Sequence, residues 1–277
     1  MLGCCCFFAA NWLNMSISIR TCIFCGPSCG RLTKEDVWPT WLGQYIPKSG
    51  TSYSASSTVI HDDRPADVIR KTINGDSKSR RVKLVCSNCN NGWMSRLQRR
   101  AKPVVLPLAM GQSTLIGVDA QRTLAAWCAM SVMTSDHFYP DRAAIPQQHR
   151  DALMRLDAPP ADQWKIWIGH YERGDWVADW VQNALAISSD AHLARHLPDG
   201  VPIPNTQTTT LVFGNLYVHA VSSVHPDIIE MVGSPSGKLV RLFPLGDTAI
   251  EWPQKSLTDR DADDAAGFIV NALANAT

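Results

Sequence analysis

The sequence predicts an α+β protein in which a small zinc module is followed by a helical connector and an α+β domain with an antiparallel sheet. Two Cys-x2-Cys pairs, separated by sixty residues, predict the module. An apolar helical stripe after Asp119 predicts the connector, and strand-like segments between turns predict the last domain. We therefore divide the chain into an N-terminal extension (1–14), the zinc module (15–105), the connector (106–150) and an acidic α+β domain (151–277) of unknown role.

The composition is that of a folded protein. The 277 residues are 45% hydrophobic and 18% charged, with a net charge of +1, which argues against a largely disordered chain. The longest apolar stretch, Leu2 to Leu13, is shorter than the roughly 18 to 20 residues that span a membrane, so we predict no transmembrane anchor and no membrane partner. A cytoplasmic location is predicted from the cysteines, whose pattern favours intracellular zinc over secreted disulfides. Residues 1–14 match nothing downstream, and Met15 is an alternative start.

The charge is unevenly distributed along the chain. Residues 64–102 contain eleven Lys or Arg against two Asp, whereas residues 151–277 contain eight basic against sixteen acidic residues. A basic segment of this kind suits a polyanion such as nucleic acid, and its alternative is an ordinary solvated surface.

The nine cysteines are interpreted by their spacing. Cys22 and Cys25 form one Cys-x2-Cys pair and Cys86 and Cys89 form the other, which together supply the four thiolates of a tetrahedral zinc site. A disulfide framework is the alternative, but the cysteine count is odd and no secretory signal is evident. Cys29 could replace Cys25 as a ligand, but Cys-x2-Cys is the more usual spacing, so Cys29 is expected to be a free thiol near the site. Cys128, on an apolar helical face, is assigned to packing.

The first half of the chain shows two strands that lead into the cysteine pairs. We predict a strand from Ile17 to Phe24 and a second from Arg80 to Val85, with a loop or inserted hairpin over residues 43–64. A basic helix follows Gly92 and is expected to stop at Pro103, since proline interrupts helical hydrogen bonding.

The second half is predicted from hydrophobic pattern and capping residues. Asp119 is the expected N-cap of a helix that runs to about Thr134, and Thr258 is the expected N-cap of a final helix that reaches Leu273. The predicted strands are Trp164–Glu172, Trp176–Ile187, Thr208–Val221 and Lys238–Phe243.

Three segments occur in the order found in one nuclease superfamily. They are CIFCG at Cys22–Gly26, LTKEDVWP at Leu32–Pro39 and VCSNCNNGWM at Val85–Met94. Over about residues 20–105 the chain thus resembles the HNH endonuclease superfamily, in particular bacterial and phage HNH-like proteins with a CxxCNNGWM knuckle. Residues 106–277 contain no motif with a known activity.

The resemblance implies a ββα-metal fold in which the four paired cysteines hold a structural zinc ion. It also implies that Glu35, Asp36 and Asn90 form the catalytic site and hold a divalent ion, Mg or Mn. Asp36 occupies the position of the family's general-base His, and Arg81 occupies the position of its middle Asn. An aspartate has an ordinary pKa of about 3.9, against about 6.5 for His, so Asp36 could serve as a second metal ligand instead of a base.

The function that follows from the resemblance is metal-dependent hydrolysis of DNA phosphodiester bonds. Its alternative is a non-catalytic zinc module that binds nucleic acid or a protein partner. Eight basic residues are the expected phosphate contacts, namely Lys78, Arg80, Arg81, Lys83, Arg96, Arg99, Arg100 and Lys102. Trp38, Trp41 and Trp93 are expected to form the module's core, with base stacking as the alternative.

Overall fold

The computed structural model of the chain describes residues 21–26, 31–36, 39–45, 52–61, 64–74, 81–138, 140, 143–172, 174, 180–187 and 203–269. The strands are β1 Leu32–Asp36, β2 Ser52–His61, β3 Arg64–Asn74, β4 Arg81–Cys86, β5 Thr114–Ile116, β6 Trp164–Tyr171, β7 Trp180–Leu185, β8 Thr206–Phe213, β9 Leu216–Ser223, β10 Val240–Phe243, β11 Ile250–Trp252 and β12 Ser256–Leu257. The helices are α1 Ser87–Cys89, α2 Ser95–Ala109, α3 Val118–Ser135, α4 Gln147–Leu156, α5 Pro226–Met231 and α6 Asp259–Ala266, and a π-helical turn at Asn90–Met94 joins α1 to α2.

The strands form one large sheet and two small ones. The large sheet has the order β10-β6-β9-β8-β7-β2-β3, with β12 added beside β6, whereas β1 pairs with β4 and β5 pairs with β11. Most neighbouring strands are antiparallel, and the exceptions are the parallel pairs β2 with β7 and β12 with β6. The predicted α+β class and the largely antiparallel sheet are therefore confirmed.

Helices cover both faces of the large sheet, because the side chains of its strands alternate between two apolar layers. On one face Ile166, Phe213 and Val218 belong to a core that also contains residues of α2 and α3. On the other face Trp167 and Tyr217 pack in a second core that contains residues of α5 and α6. The central strands β8 and β9 are consequently buried along their whole length.

Helix α2 extends further than predicted, because Pro103 and Pro107 lie inside it instead of ending it. Its buried residues recur at helical spacing through both prolines, and the last of them are Leu108 and Ala109. Pro103 itself is exposed, so the carbonyl that loses its hydrogen bond can face water while apolar burial stabilises the helix.

The predicted N-cap of α3 is wrong by two residues. Gly117 occupies the N-cap, and Asp119 lies in the first turn, where Arg122 donates a hydrogen bond to it at 3.0 Å. The buried Gln121 side chain fixes the start of the helix instead, since it donates to the carbonyls of Ile116 and Thr248 at 2.9 and 2.8 Å.

The predicted single strand Thr208–Val221 is two strands, β8 and β9, joined by a tight turn at Gly214 and Asn215. Gly214 has a φ of 65°, a conformation that favours glycine, and Asn215 donates its backbone N–H to Ala109 O at 2.8 Å. The turn therefore packs against the end of α2. The sequence pattern also missed α4 and α5, which the structure places between predicted strands and helices.

Near the first cysteine pair, residues 21–26 form a turn instead of the predicted strand that reaches Phe24. Cys22 and Gly26 close this turn as an isolated bridge. The inserted hairpin expected near residues 43–64 exists as β2 and β3, and it extends to Asn74. Thr258 is the N-cap of α6, as predicted.

Several predictions fall beyond the described residues, including the extension 1–14, the strand residues 17–20 and the final helix after residue 269. The division into four regions stays a prediction. The hairpin of β2 and β3, from the range 15–105, pairs through β2 with β7, from the range 151–277. Within the part of the chain that the structure describes, no helix has the length and apolar character needed to cross a membrane.

Candidate metal centre and basic groove

The first cysteine pair lies in a tight turn that is closed by its own backbone. Cys22 and Gly26 exchange backbone hydrogen bonds of 3.2 and 2.9 Å, and Gly26 has a φ of 76°. Ile23 donates its N–H to Leu84 O at 3.0 Å, which ties the turn to β4. The glycine after the second cysteine therefore has the positive φ that a chain wrapping around a metal often requires.

The second pair lies where β4 ends and the helical segment begins. Cys86 is the N-cap of α1, and its sulfur accepts the Cys89 backbone N–H at 3.4 Å. The Cys86 N–H in turn points to the Cys22 sulfur at 3.4 Å. Backbone N–H groups thus already face the sulfurs, as expected where thiolate charge must be stabilised.

The four sulfurs of Cys22, Cys25, Cys86 and Cys89 lie within 4.8 Å of one another, and the Cys25 and Cys86 sulfurs are 3.5 Å apart. Tetrahedral coordination with Zn–S bonds of about 2.3 Å requires sulfurs roughly 3.8 Å apart, so small shifts suffice. Three of the cysteines are buried and Cys25 is partly buried. The donor set fits a zinc ion, and the described cysteines are free thiols, not disulfides.

The thiols differ in how readily they ionise. Burial raises the pKa of Cys25 far above its usual range and raises that of Cys89 to about 12. Burial also opposes ionisation of Cys86, but the Cys89 N–H and the neighbouring thiols lower its pKa to about 7. A thiol cluster of this kind needs a cation to hold all of its sulfurs as thiolates.

The other cysteines differ in position. Cys128 lies in α3, fully buried, where burial raises its pKa, so the predicted packing role is confirmed. Cys29 lies outside the described residues.

The proposed catalytic carboxylates lie on β1, which pairs with β4. Glu35 stands opposite Val82 and Asp36 stands opposite Arg81, after an irregularity in the register that follows Thr33. Asn90 follows the last cysteine of the cluster, and its side-chain N–H donates to Thr33 Oγ1 at 3.1 Å. The structure therefore connects Asn90 to the same strand as Glu35 and Asp36, two residues before Glu35.

The predicted phosphate-contact residues that the structure describes do not all line one groove. Arg96, Arg99 and Arg100 line one groove beside α2, whereas Lys83 lines a cavity near the first cysteine pair. Lys102 lies 5.8 Å from the ring centre of Trp41, and Arg81 is exposed on β4. Lys78 and Arg80 fall in the undescribed range 75–80.

Two of the three tryptophans predicted for the core are described, and both are engaged in packing. Trp93 meets Phe24 edge to face with ring centres 4.9 Å apart. The Trp93 Nε1 is buried without a hydrogen bond of normal geometry. Burial raises the pKa of Cys89, and the indole of Trp93 offsets only part of that rise. Trp41 donates to Gln98 Oε1 at 3.2 Å, and Trp38 lies outside the described residues.

Residues that sequence reasoning missed complete the groove beside α2. Arg155 and Met154, near the end of α4, and Asp157 just after it line the side opposite Arg96 and Arg99. Arg100 donates to Asp157 at 2.8 Å across the groove. No motif marks Arg155, and the only sequence signal was a cation in the last turn of a helix that the pattern did not predict.

Comparisons of the chain with models of protein families, with curated proteins and with solved structures found no match. Its four-cysteine cluster is consequently defined by its own geometry, as a site that could hold a zinc ion.

Proposed function

We propose that the chain is an HNH-like endonuclease that hydrolyses DNA phosphodiester bonds with a divalent metal ion. The observation that carries this proposal is the order of elements around the four cysteines. Antiparallel β1 and β4 are followed by a helical segment, and Asn90 in that segment is hydrogen bonded to β1. Two strands and a helix around a metal are what the resemblance to the HNH superfamily implies.

Each group has a defined role in this proposal. The four clustered cysteines hold a structural zinc ion, which when bound fixes the turn at Cys22 against the start of α1. The carboxylates of Glu35 and Asp36 and the side-chain amide oxygen of Asn90 hold Mg or Mn, since these ions prefer oxygen ligands. When bound, the divalent ion supplies positive charge near the scissile phosphate and the leaving oxygen.

The position of Asp36 determines how the proton is handled. A carboxylate with a pKa near the ordinary value of about 3.9 is charged at neutral pH but accepts a proton from water poorly. We therefore assign Asp36 to holding the ion together with Glu35. The attacking water then forms the new P–O bond and loses its proton to solvent, directly or through a phosphate oxygen. The bond to the leaving oxygen breaks, and that oxygen takes a proton from solvent to leave as an alcohol.

Plasmid nicking tests this proposal. Zinc-retaining protein, stripped of other metals and supplied with Mg or Mn, is compared with a Glu35→Ala/Asp36→Ala variant. Cleavage by the parent should fall by about 10² to 10⁴-fold in the variant, the range expected for loss of essential catalytic groups. The matched control is Asp263→Ala/Asp264→Ala, which removes two adjacent exposed carboxylates from α6 and should cut like the parent.

The second candidate is a non-catalytic zinc module that binds nucleic acid. It is favoured by the arginine groove beside α2, whose use requires no divalent ion. A parent that holds zinc and binds DNA but cuts neither DNA nor RNA, across several metals and pH values, would favour this candidate over the nuclease.

A further inference from the structure

A groove of about 510 Å³ lies between the first turns of α2 and the last turn of α4. Its lining carries four guanidinium groups and a single carboxylate, that of Asp157. The four arginines are exposed, and they are Arg96, Arg99, Arg100 and Arg155. Because α2 follows directly from the cysteine cluster, the groove joins the zinc module to a helix that lies beyond the region of resemblance.

The arginines are spaced along the groove instead of converging on one point. Arg96 and Arg100 are one turn apart on α2, which separates their backbones by about 6 Å along the helix axis. Phosphates of one strand of duplex DNA follow one another every 3.4 Å along its axis, so the two arginines can meet different phosphates. Arg155 faces them from α4, where its Nε donates to the Asp151 carbonyl at 3.3 Å.

The form of the groove favours a chain of phosphates over a small anion. A site for a small anion holds it with buried donors, whereas all four guanidinium groups here are exposed to solvent. Contacts from exposed cations are individually weak, and they become effective when one polyanion meets several of them.

Asp157 competes for one of these arginines. It accepts a hydrogen bond from Arg100 at 2.8 Å, and both side chains are about half exposed. An exposed ion pair of this kind contributes little stability, so a phosphate can displace the carboxylate at small cost.

We propose that this groove binds the phosphate backbone of DNA, with Arg155 as a contact and Asp157 as the competing anion. The proposal rests on the proposed function for the identity of the polyanion. It adds α4 to the surface that contacts DNA, and it assigns a binding role to Arg155, which lies outside the range 20–105.

Binding measured without divalent ions tests the groove separately from cleavage. The full-length Glu35→Ala/Asp36→Ala protein with bound zinc is titrated into a fluorescently labelled DNA duplex of about 20 base pairs, with anisotropy followed at several salt concentrations between roughly 50 and 200 mM. Adding Arg155→Gln should weaken binding about five- to tenfold near 100 mM salt and reduce the slope of log K against log salt by about one.

Two further variants sharpen the test. Asp157→Asn should tighten binding about threefold, because it releases Arg100, and asparagine tolerates the left-handed backbone there, where φ is 53°. Arg260→Gln is the control, because it removes the same charge from α6, which packs on the other face of the sheet. The Arg260 side chain is 91% exposed. It should bind like the parent.

The outcomes separate the two proposals. The Glu35→Ala/Asp36→Ala protein is the reference for binding. If it binds DNA but adding Arg155→Gln or Asp157→Asn changes the affinity no more than adding Arg260→Gln, the groove is not the binding site and the proposed function is unaffected. If the groove variants behave as expected and the parent cuts nothing, the nuclease proposal fails and the groove stands. Binding to RNA but not to DNA, or to neither, overturns the groove as a DNA site.

Discussion

Two histidines are buried as neutral rings. The His149 Nδ1 accepts the Trp164 indole N–H at 2.9 Å, so its Nε2 carries the proton that is donated to Gln163 at 3.0 Å. His219 is fully buried, and its Nδ1 lies 2.9 Å from Thr210 Oγ1. Burial lowers the pKa of each ring to about 4.

These rings should remain neutral at pH 5.5 in the folded protein. Between pH 6.5 and 4 the unfolded chain binds protons that the folded chain rejects, so the stability contributed above pH 6.5 is lost as the pH falls. At pH 5 each of these two histidines should lower the free energy of unfolding by about 1 to 2 kcal/mol relative to its value above pH 6.5. Imidazole ¹⁵N shifts measure the protonation directly, and the same rings in urea-unfolded protein, with a pKa near 6.5, serve as the control. A charged His149 or His219 at pH 5.5 in folded protein would contradict this prediction.

At the level of single residues, the sequence predicted the metal ligands, because their spacing along the chain is itself the signal. Cys22 and Cys25 come together with the second pair, because a Cys-x2-Cys segment places two thiols in one turn. It did not predict Gln98, whose side-chain oxygen accepts indole N–H groups from Trp41 and Trp127 at 3.2 and 3.0 Å. A polar residue on a helix usually faces water, and only the packing of three elements gives this one its partners.

Helix α6 begins with a reciprocal pair of hydrogen bonds. Thr258 Oγ1 accepts the Asp261 backbone N–H at 3.4 Å, and Asp261 accepts the Thr258 backbone N–H at 2.8 Å. Asp261 also receives a hydrogen bond from Lys238 at 2.6 Å, which together with Thr258 lowers the pKa of the carboxyl to about 2. The start of α6 is thus linked to the segment before β10.

Replacing the cap should loosen this helix. Thr258→Ala removes the acceptor for the Asp261 N–H and should lower the free energy of unfolding by about 1 kcal/mol, measured by urea denaturation. Thr248→Ala makes the same chemical change at an exposed loop residue and should have little effect. Equal midpoints for the two variants would show that the cap does not stabilise the fold.

Elements were predictable where local pattern and tertiary packing agree. The strand at Trp164 and the cap at Thr258 follow from periodicity and side-chain chemistry. The Gly214–Asn215 turn had a local signal, since Gly-Asn between apolar runs is typical of a hairpin, yet the continuous apolar pattern concealed it. The passage of α2 through Pro103 had no such signal, because burial against α3 and the sheet outweighs the local cost of proline.

On the scale of the whole molecule, the cysteine cluster shares its apolar core with the helices and the large sheet. Phe24 and Cys86 belong to the same buried cluster as Leu97 of α2, Trp127 of α3 and Phe213 of β8. The rings of Trp127 and Phe213 are 4.8 Å apart, which continues the packing from α3 into the sheet. A change at the cysteines should therefore be felt in strands remote from them in sequence.

Loss of one clustered cysteine should remove zinc and destabilise the whole described body. Cys86→Ser should lower the zinc content well below one ion per chain, as mass spectrometry of the metal would show, and cost at least about 3 kcal/mol of unfolding free energy. Hydrogen exchange of β8 and β9 amides should accelerate with it, because their face packs in the same core. Cys128→Ala is the matched control, because it removes a buried thiol that is not one of the four clustered cysteines. Zinc should remain, and the cavity should lower the free energy of unfolding by only about 1 kcal/mol. Zinc retained by Cys86→Ser at the parent's level would refute the site, and loss of zinc with unchanged exchange in β8 and β9 would show that the cysteine cluster folds independently of the sheet.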